Sequence, residues 1–491
     1  MAFHPPEINF TLVAALILVA GTAILLMLLE LFAPKLVKKW AAWISFIGLS
    51  LALIQTIMIW GQPGATFTPA DGTPMVVVDN FAIFLNVVFV LTGMLTILVS
   101  KDFLRRTELD RPEFYMLMLF SICGMMLMGM ANDLILIFLA LELLSIPLYI
   151  MAGLAWPRAD SEESSMKYFL LGAFSSAIFV FGIALIYGAT GTTSLTVLVD
   201  AIGEPNGLLL AGVAFLLVGF GFKIAAVPFQ MWTPDVYEGA PTPVTAFMSV
   251  GAKVGGFAAL MRILLGGLPN MGDAWVPAIV ILSVLTLIIG NVAAIAQKNI
   301  KRMLGYSSIA HAGFILIAVA ASGSSPQGIS AALFYMFAYL FTNLGAFAIV
   351  IAMEHQQGQG VFLDDYKGLA KQHPWMALVM AFFMLSLTGI PLTGGFAAKF
   401  YVLRTAIDAN LIGLALIGVA TSVVSAYYYL RVVFLMYMYE GDAQLIMKPA
   451  LVAAVWITAL TTLFLGILPA WGYEFAQSAV IQSVQVLVAG G

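Results

Sequence analysis

Lys223, Lys253 and Lys399 each lie inside a long apolar run, and Glu142 does the same. A charge near the centre of a bilayer costs about 2.5–3.5 kcal/mol on insertion scales, so side chains of this kind mark ion or proton pathways by default. Lysine and glutamate suit proton traffic. A lysine pKa near 10.4 falls by up to about 3–5 units on full burial, and a carboxylate about 4 Å away at an effective dielectric near 20 offsets roughly 4 kcal/mol of that. Approach and separation of Glu142 and Lys223 would then load and expel a proton. His311, alone in an apolar run, is a candidate relay; its plainer reading is a satisfied core histidine. The plainer reading of the lysines is snorkelling or a structural ion pair. That fits poorly for Lys253, central in its run, and for Lys399, about two turns from the end of its own at 1.5 Å per residue.

The neighbours of these lysines point the same way. Gly219, Gly221, Ala225 and Ala226 surround Lys223; Gly251, Ala252, Gly255 and Gly256 surround Lys253; Gly394, Gly395, Ala397 and Ala398 precede Lys399. Small residues mark close helix contacts in membranes. Pro228 follows Lys223, and Gly389 and Pro391 precede Lys399. Both helices are therefore expected to be broken beside their lysines, which frees backbone groups to hold ions or water; a packing kink is the other reading.

The elements that must position these residues follow from composition. The chain has 491 residues, 62% hydrophobic and 9% charged, against roughly 45–50% and about 25% in soluble domains. The expected fold is an all-α polytopic membrane protein. A hydrocarbon core of about 30 Å needs roughly 20 apolar residues of helix. About fourteen such runs are predicted: 8–32, 41–60, 78–99, 113–130, 132–155, 166–190, 207–232, 242–264, 275–296, 304–321, 326–353, 375–407, 409–437 and 450–470, followed by an amphipathic tail to Gly491. The first run is too long for a signal-peptide core and is expected to stay as a helix. Basic residues favour cytoplasmic loops. Lys35, Lys38, Lys39, Lys101, Arg105, Arg106, Arg111, Arg158, Lys167, Lys298, Lys301, Arg302, Lys367, Lys371, Arg431 and Lys448 fall at alternate boundaries, with Arg262 and Arg404 near the other side. Both termini are expected on the non-cytoplasmic side.

Glu142 precedes Lys223 by a separation close to that between His311 and Lys399. Two five-helix repeats follow, the fourth to eighth spans and the ninth to thirteenth, each with a broken helix; an odd helix number makes consecutive repeats inverted. The expected divisions are 1–112 as an N-terminal three-helix segment, 113–264 and 265–437 as the repeats, and 438–491 as a C-terminal helix and tail.

Several functions are excluded. The 21 Lys+Arg against 25 Asp+Glu give a net charge of −4, which offers no basic surface for nucleic acid. Cys123 is the single cysteine, too few for a disulfide within the chain or a thiolate-held cluster. His4, His311, His355 and His373 show no metal-ligand spacing, and the chain has no GxGxxG or GxxxxGK[ST] nucleotide motif.

The segment GFKIAAVPFQMWTPDVYEGAPTPVTAFMSVGAKVGGFAALMR at 221–262, with KRMLGYSSIAHAG at 301–313 and LSLTGIPLTGGFAAKFYV at 385–402, resembles the antiporter-like membrane subunits of respiratory complex I. The likeness is greatest to the N-type subunit of the bacterial proton-pumping NADH:quinone oxidoreductase, and it covers essentially the whole chain. It implies proton translocation through Glu142, Lys223, Lys253, His311 and Lys399. It also implies that NADH, FMN, iron–sulfur clusters and quinone are bound by partner subunits, that the other partners are complex I membrane subunits and lipid, and that the location is a bacterial plasma membrane. Where many relatives carry a histidine, this chain has Gln230, which cannot titrate. The nearest alternative is a subunit of a multi-subunit sodium/proton antiporter, which resembles the same family and shares the lysine pattern, and membrane-bound hydrogenases use related subunits; a sodium site would favour more midplane carboxylates than Glu142. A structural scaffold would have no need of buried lysines.

Overall fold

The computed structural model describes residues 6–69, 72–203, 206–355, 359–479 and 481. Its chain is mostly helical because lipid leaves backbone groups no solvent partner, and a helix satisfies them within the segment. Among the described residues, twelve helices are long and apolar enough to cross a membrane. Side-chain caps fix many of their starts: Asp79 accepts from Ala82 N, Asp133 from Ile135 N, Asn206 from Leu209 N, Asn299 from Lys301 N and Thr393 from Phe396 N. Proline opens the helices Pro34–Met58, Pro112–Met130, Pro374–Thr388 and Pro449–Ile467, where its missing N–H is no loss.

Two shorter apolar helices lie where the breaks are expected. Gly207–Lys223 stops at Lys223, and helix resumes at Trp232–Gly239. Pro374–Thr388 stops before Gly389, which holds φ at +93°, and helix resumes at Gly394–Asp408. The helix Thr242–Gly267 is continuous but contains two wider π-type stretches, Met248–Ala252 just before Lys253 and Arg262–Gly267 at its far end.

Burial sorts the helices into a centre and a rim. Thr242–Gly267 and Gln327–Met353 are wholly buried across their apolar stretch, and Ile300–Ser322 nearly so; Phe10–Phe32 and Ala159–Thr190 are buried over only a third of theirs. Close approach at the centre needs glycine. A Cβ on Gly124 would lie 2.4 Å from Leu144 N, and one on Gly290 would lie 2.8 Å from Ala310 N. At the end away from the basic boundaries, Gly64–Thr66 pairs antiparallel with Val76–Val78, with Gly64 opposite Val78. Val76 bridges to Ala131 and Asp133 bridges to Ser194, tying the hairpin to the helix ends.

Some boundaries differ from expectation. The second span begins at Pro34, so Lys35, Lys38 and Lys39 belong to the helix; the third runs on to Arg106 and takes in Lys101 and Arg105. Long basic side chains reach water from inside a helix end, which hides the boundary from a charge count. The expected tail beyond Ile481 lies outside the described residues, as does His4.

Candidate proton path

The break after Lys223 is built by local geometry. Ala226 N donates to Gly221 O at 2.8 Å, Val227 N reaches Thr286 Oγ1 at 2.9 Å, and Trp232 Nε1 donates to Phe222 O at 3.0 Å. These bonds satisfy backbone groups that the helix abandons. Lys223 is 4% exposed, and its Nζ donates to Ser145 Oγ at 2.7 Å. Ser145 lies three residues after Glu142 on the helix Leu134–Ala152. Glu142 is half-buried and accepts from Ser176 Oγ. Glu142 and Lys223 are therefore each held by a serine hydroxyl, that of Lys223 within one turn of Glu142, and they form no ion pair with one another within 4.0 Å among the described residues.

Gly256 places the second lysine near the first, since a Cβ there would lie 3.2 Å from Lys223 Cγ. One turn before Gly256, Lys253 Nζ donates to Ser308 O at 2.8 Å and to Ser308 Oγ. The adjacent Ser307 Oγ shares a hydrogen bond with Tyr429 Oη, which lies 3.1 Å from His311 Nε2. His311 Nδ1 pairs with Tyr335 Oη at 2.6 Å. Both ring nitrogens are thus engaged, one necessarily as acceptor while the imidazole is neutral. His311 and Lys399 line one cleft of about 160 Å³ with Asn291, Phe314, Tyr428 and Tyr429, its space divided too finely to admit a water. Lys399 Nζ donates to Thr388 O at 2.8 Å, a carbonyl freed by the second break, and sits 4.8 Å from the Phe314 ring centre.

The surroundings of this line match known proteins. A family model described as NADH:quinone oxidoreductase/Mrp antiporter, TM, fits residues 131–425. The chain belongs to that family. The matched segment contains all five residues singled out above. The chain is 44% identical over 485 residues, 97% of its length and 98% of the relative's, to the NADH-quinone oxidoreductase subunit N of Chloroflexus aggregans. It is 45% identical over 486 residues, again 97% and 98%, to the subunit N of Trichlorobacter lovleyi. A chain of respiratory complex I from Thermus thermophilus superposes with a TM-score of 0.81 at 35% identity, covering 95% of this chain and 100% of that one. A chain of the Mrp complex from Dietzia shares the fold, with a TM-score of 0.84 at 21% identity, 95% of this chain and 96% of that chain being covered.

Glu142, Lys223, Lys253, His311 and Lys399 stand out in the sequence, whereas the residues that contact them do not. Ser145, Ser308, Tyr335 and Tyr429 carry no charge and read as ordinary core residues. Ser307 and Ser308 do stand inside the quoted motif at 301–313, four and three residues before His311, one helical turn and so the same face. Arg262 and Lys301 need correcting, because each counts as a boundary residue in the sequence yet is buried, at 3% and 2% exposed. Their partners are a carboxylate and a carbonyl: Arg262 meets Asp79, and Lys301 Nζ donates to Ala240 O at 2.7 Å. Asp79 and Glu354 are buried carboxylates that the sequence reading does not single out. Gln230 is half-buried, and its Oε1 makes no hydrogen bond to any described residue.

Proposed function

We propose that this chain is an N-type proton-translocating membrane subunit of a NADH:quinone oxidoreductase, carrying protons while redox chemistry proceeds on partner subunits. The observation that carries the reading is a pair of hydrogen-bonded groups that meet at adjacent serines, Lys253 on Ser308 and Ser307 with Tyr429 and His311, with Lys399 across one cleft. High-coverage likeness to proteins named NADH-quinone oxidoreductase subunit N supports the assignment of the complex.

In this reading the two broken helices also cross the bilayer. That makes fourteen spans and divides the chain at 1–112, 113–264, 265–437 and 438–491, with the two middle segments as inverted repeats. Both termini lie outside the cytoplasm, and the membrane is a bacterial plasma membrane. The partners are the other membrane subunits of the complex, and NADH, FMN, iron–sulfur clusters and quinone are bound there.

The switch is the Glu142–Lys223 pair. Swinging the Lys223 ammonium from Ser145 towards Glu142 brings two charges to about 4 Å, worth roughly 4 kcal/mol at an effective dielectric near 20. Parting them again removes that stabilisation and drives the proton on to Lys253, the serines, Tyr429, His311 and finally Lys399. Moving one charge against 100 mV takes about 2.3 kcal/mol, less than the switch supplies. The serine contacts of Glu142 and Lys223 describe the parted arrangement.

The test is NADH-driven proton pumping alongside NADH:quinone turnover in sealed membranes carrying Lys223→Ala, with assembly of the complex followed in the same membranes. The expected result is lost pumping in an assembled complex. Unchanged protons per electron would overturn the reading and leave the buried lysine as a structural residue.

A further inference from the structure

The helices that carry Lys253 and Lys399 end differently on the side away from the basic boundaries. On Thr242–Gly267, Arg262 follows Lys253 by nine residues, about 13 Å along the axis. Its guanidinium grips Asp79 at both oxygens, Nη1 to Oδ2 at 2.6 Å and Nη2 to Oδ1 at 2.8 Å. Nε and Nη2 also donate to Gly129 O at 3.2 and 2.6 Å, and the group lies 4.9 Å from the Phe81 ring centre. The pair is closed off from its surroundings, with side chains 4% and 0% exposed. On Gly394–Asp408, Arg404 follows Lys399 by five residues and pairs with Asp408 at 3.9 Å, the two side chains being 67% and 57% exposed.

A guanidinium keeps its charge at any physiological pH, so held on its carboxylate it neither gives up a proton nor takes one on. The bidentate carboxylate fixes that cation in place, and the carbonyl of Gly129 takes two further N–H groups, so four of the five guanidinium donors are held by protein. A π-type turn begins at Arg262, a local feature frequent at functional sites. We propose that the Arg262–Asp79 pair is a permanent proton seal. It closes the outer end of the first half below Lys253, so that protons can leave only after crossing to the second half and Lys399. This rests on the proton-carrying function and the membrane orientation proposed above, and it adds a residue pair that forces the route to run sideways.

The experiment uses the intact complex in sealed vesicles. A pH gradient is imposed without NADH, its decay is followed with an entrapped pH dye, and turnover and assembly are measured in parallel. The neutral pair Asp79→Asn with Arg262→Gln, similar in shape to the original, is expected to assemble and to oxidise NADH while the gradient decays several-fold faster. Arg262→Gln alone removes the same cation and is expected to leak likewise, which decides the matter if the double variant does not assemble. Arg262→Lys keeps the charge and is expected to stay as tight as the unmodified complex. Decay at the unmodified rate in assembled neutral variants overturns the seal, and so does equal leakage in the lysine variant, since packing and not charge would then be the barrier. The two ideas fail separately: pumping that survives Lys223→Ala removes the route itself. A tight neutral variant beside an uncoupled Lys223→Ala removes only the seal.

Discussion

Tyr429 holds two neighbours with one oxygen, the Ser307 hydroxyl and the His311 ring. Tyr429→Phe keeps the ring and deletes that junction, leaving a buried serine and an imidazole nitrogen each short of a partner at about 1–3 kcal/mol. NADH-driven pumping and coupled turnover are expected to fall together by roughly tenfold, the equivalent of about 1.4 kcal/mol on the barrier, with assembly intact. Ser308→Ala should act more mildly, because Lys253 retains the Ser308 carbonyl; equal losses in both variants would mean that the hydroxyl of Ser308 matters more than this contact pattern implies. The lysines, the histidine and Glu142 are legible in sequence because a titratable side chain inside an apolar run stands out from its neighbours. Tyr429 and Ser307 are 122 positions apart, and nothing in the local spacing of either marks the other as its partner.

The two helix breaks are legible for a different reason. Pro228 cannot continue a hydrogen-bond ladder and Gly389 adopts a backbone angle that few other residues hold. How long each break runs, and that Thr388 O is the carbonyl given up to Lys399, depend on packing between distant segments. The π-type turns beside Lys253 and Arg262 leave no trace in hydropathy at all. Gly395 shows how tightly the second break is built: a Cβ there would lie 1.9 Å from Ser386 O. Gly395→Ala must therefore push the two limbs apart and shift Thr388 away from Lys399. The expected outcome is a loss of about 1–3 kcal/mol in stability, read as a lower unfolding temperature of the complex, together with reduced pumping. Full pumping at an unchanged temperature would mean that the limbs separate freely.

Across the whole molecule, burial falls from Gln327–Met353 at the centre to Phe10–Phe32 at the rim. Amides in the central helix are expected to exchange with deuterium only through large-scale unfolding, and those of Phe10–Phe32 through local opening. Peptide-resolved exchange of the detergent-solubilised complex checks this, and comparable rates for the two helices would contradict the layering. The rim carries Phe174 at 70% and Val423 at 71% exposed, side chains that suit lipid or a neighbouring subunit. Fold class and the approximate course of the helices were readable from hydropathy because lipid permits few alternatives; which helices sit inside and which outside was not, since all are apolar on every face.

Asp79 and Arg262 lie 183 positions apart, which bears on how the chain is made. At roughly 5–20 residues per second of synthesis, Asp79 emerges about 10–40 s before its counter-charge exists. During that interval the carboxylate must stay near the lipid headgroups or the insertion machinery, because an unpaired anion has no low-energy place at the depth it finally occupies. The ion pair at the start of the helix Asn80–Arg106, which Asp79 caps, is completed only when the eighth apolar segment arrives. The Asp79–Arg262 contact is thus a late latch on the first half, one that cannot close until the eighth apolar segment has been made.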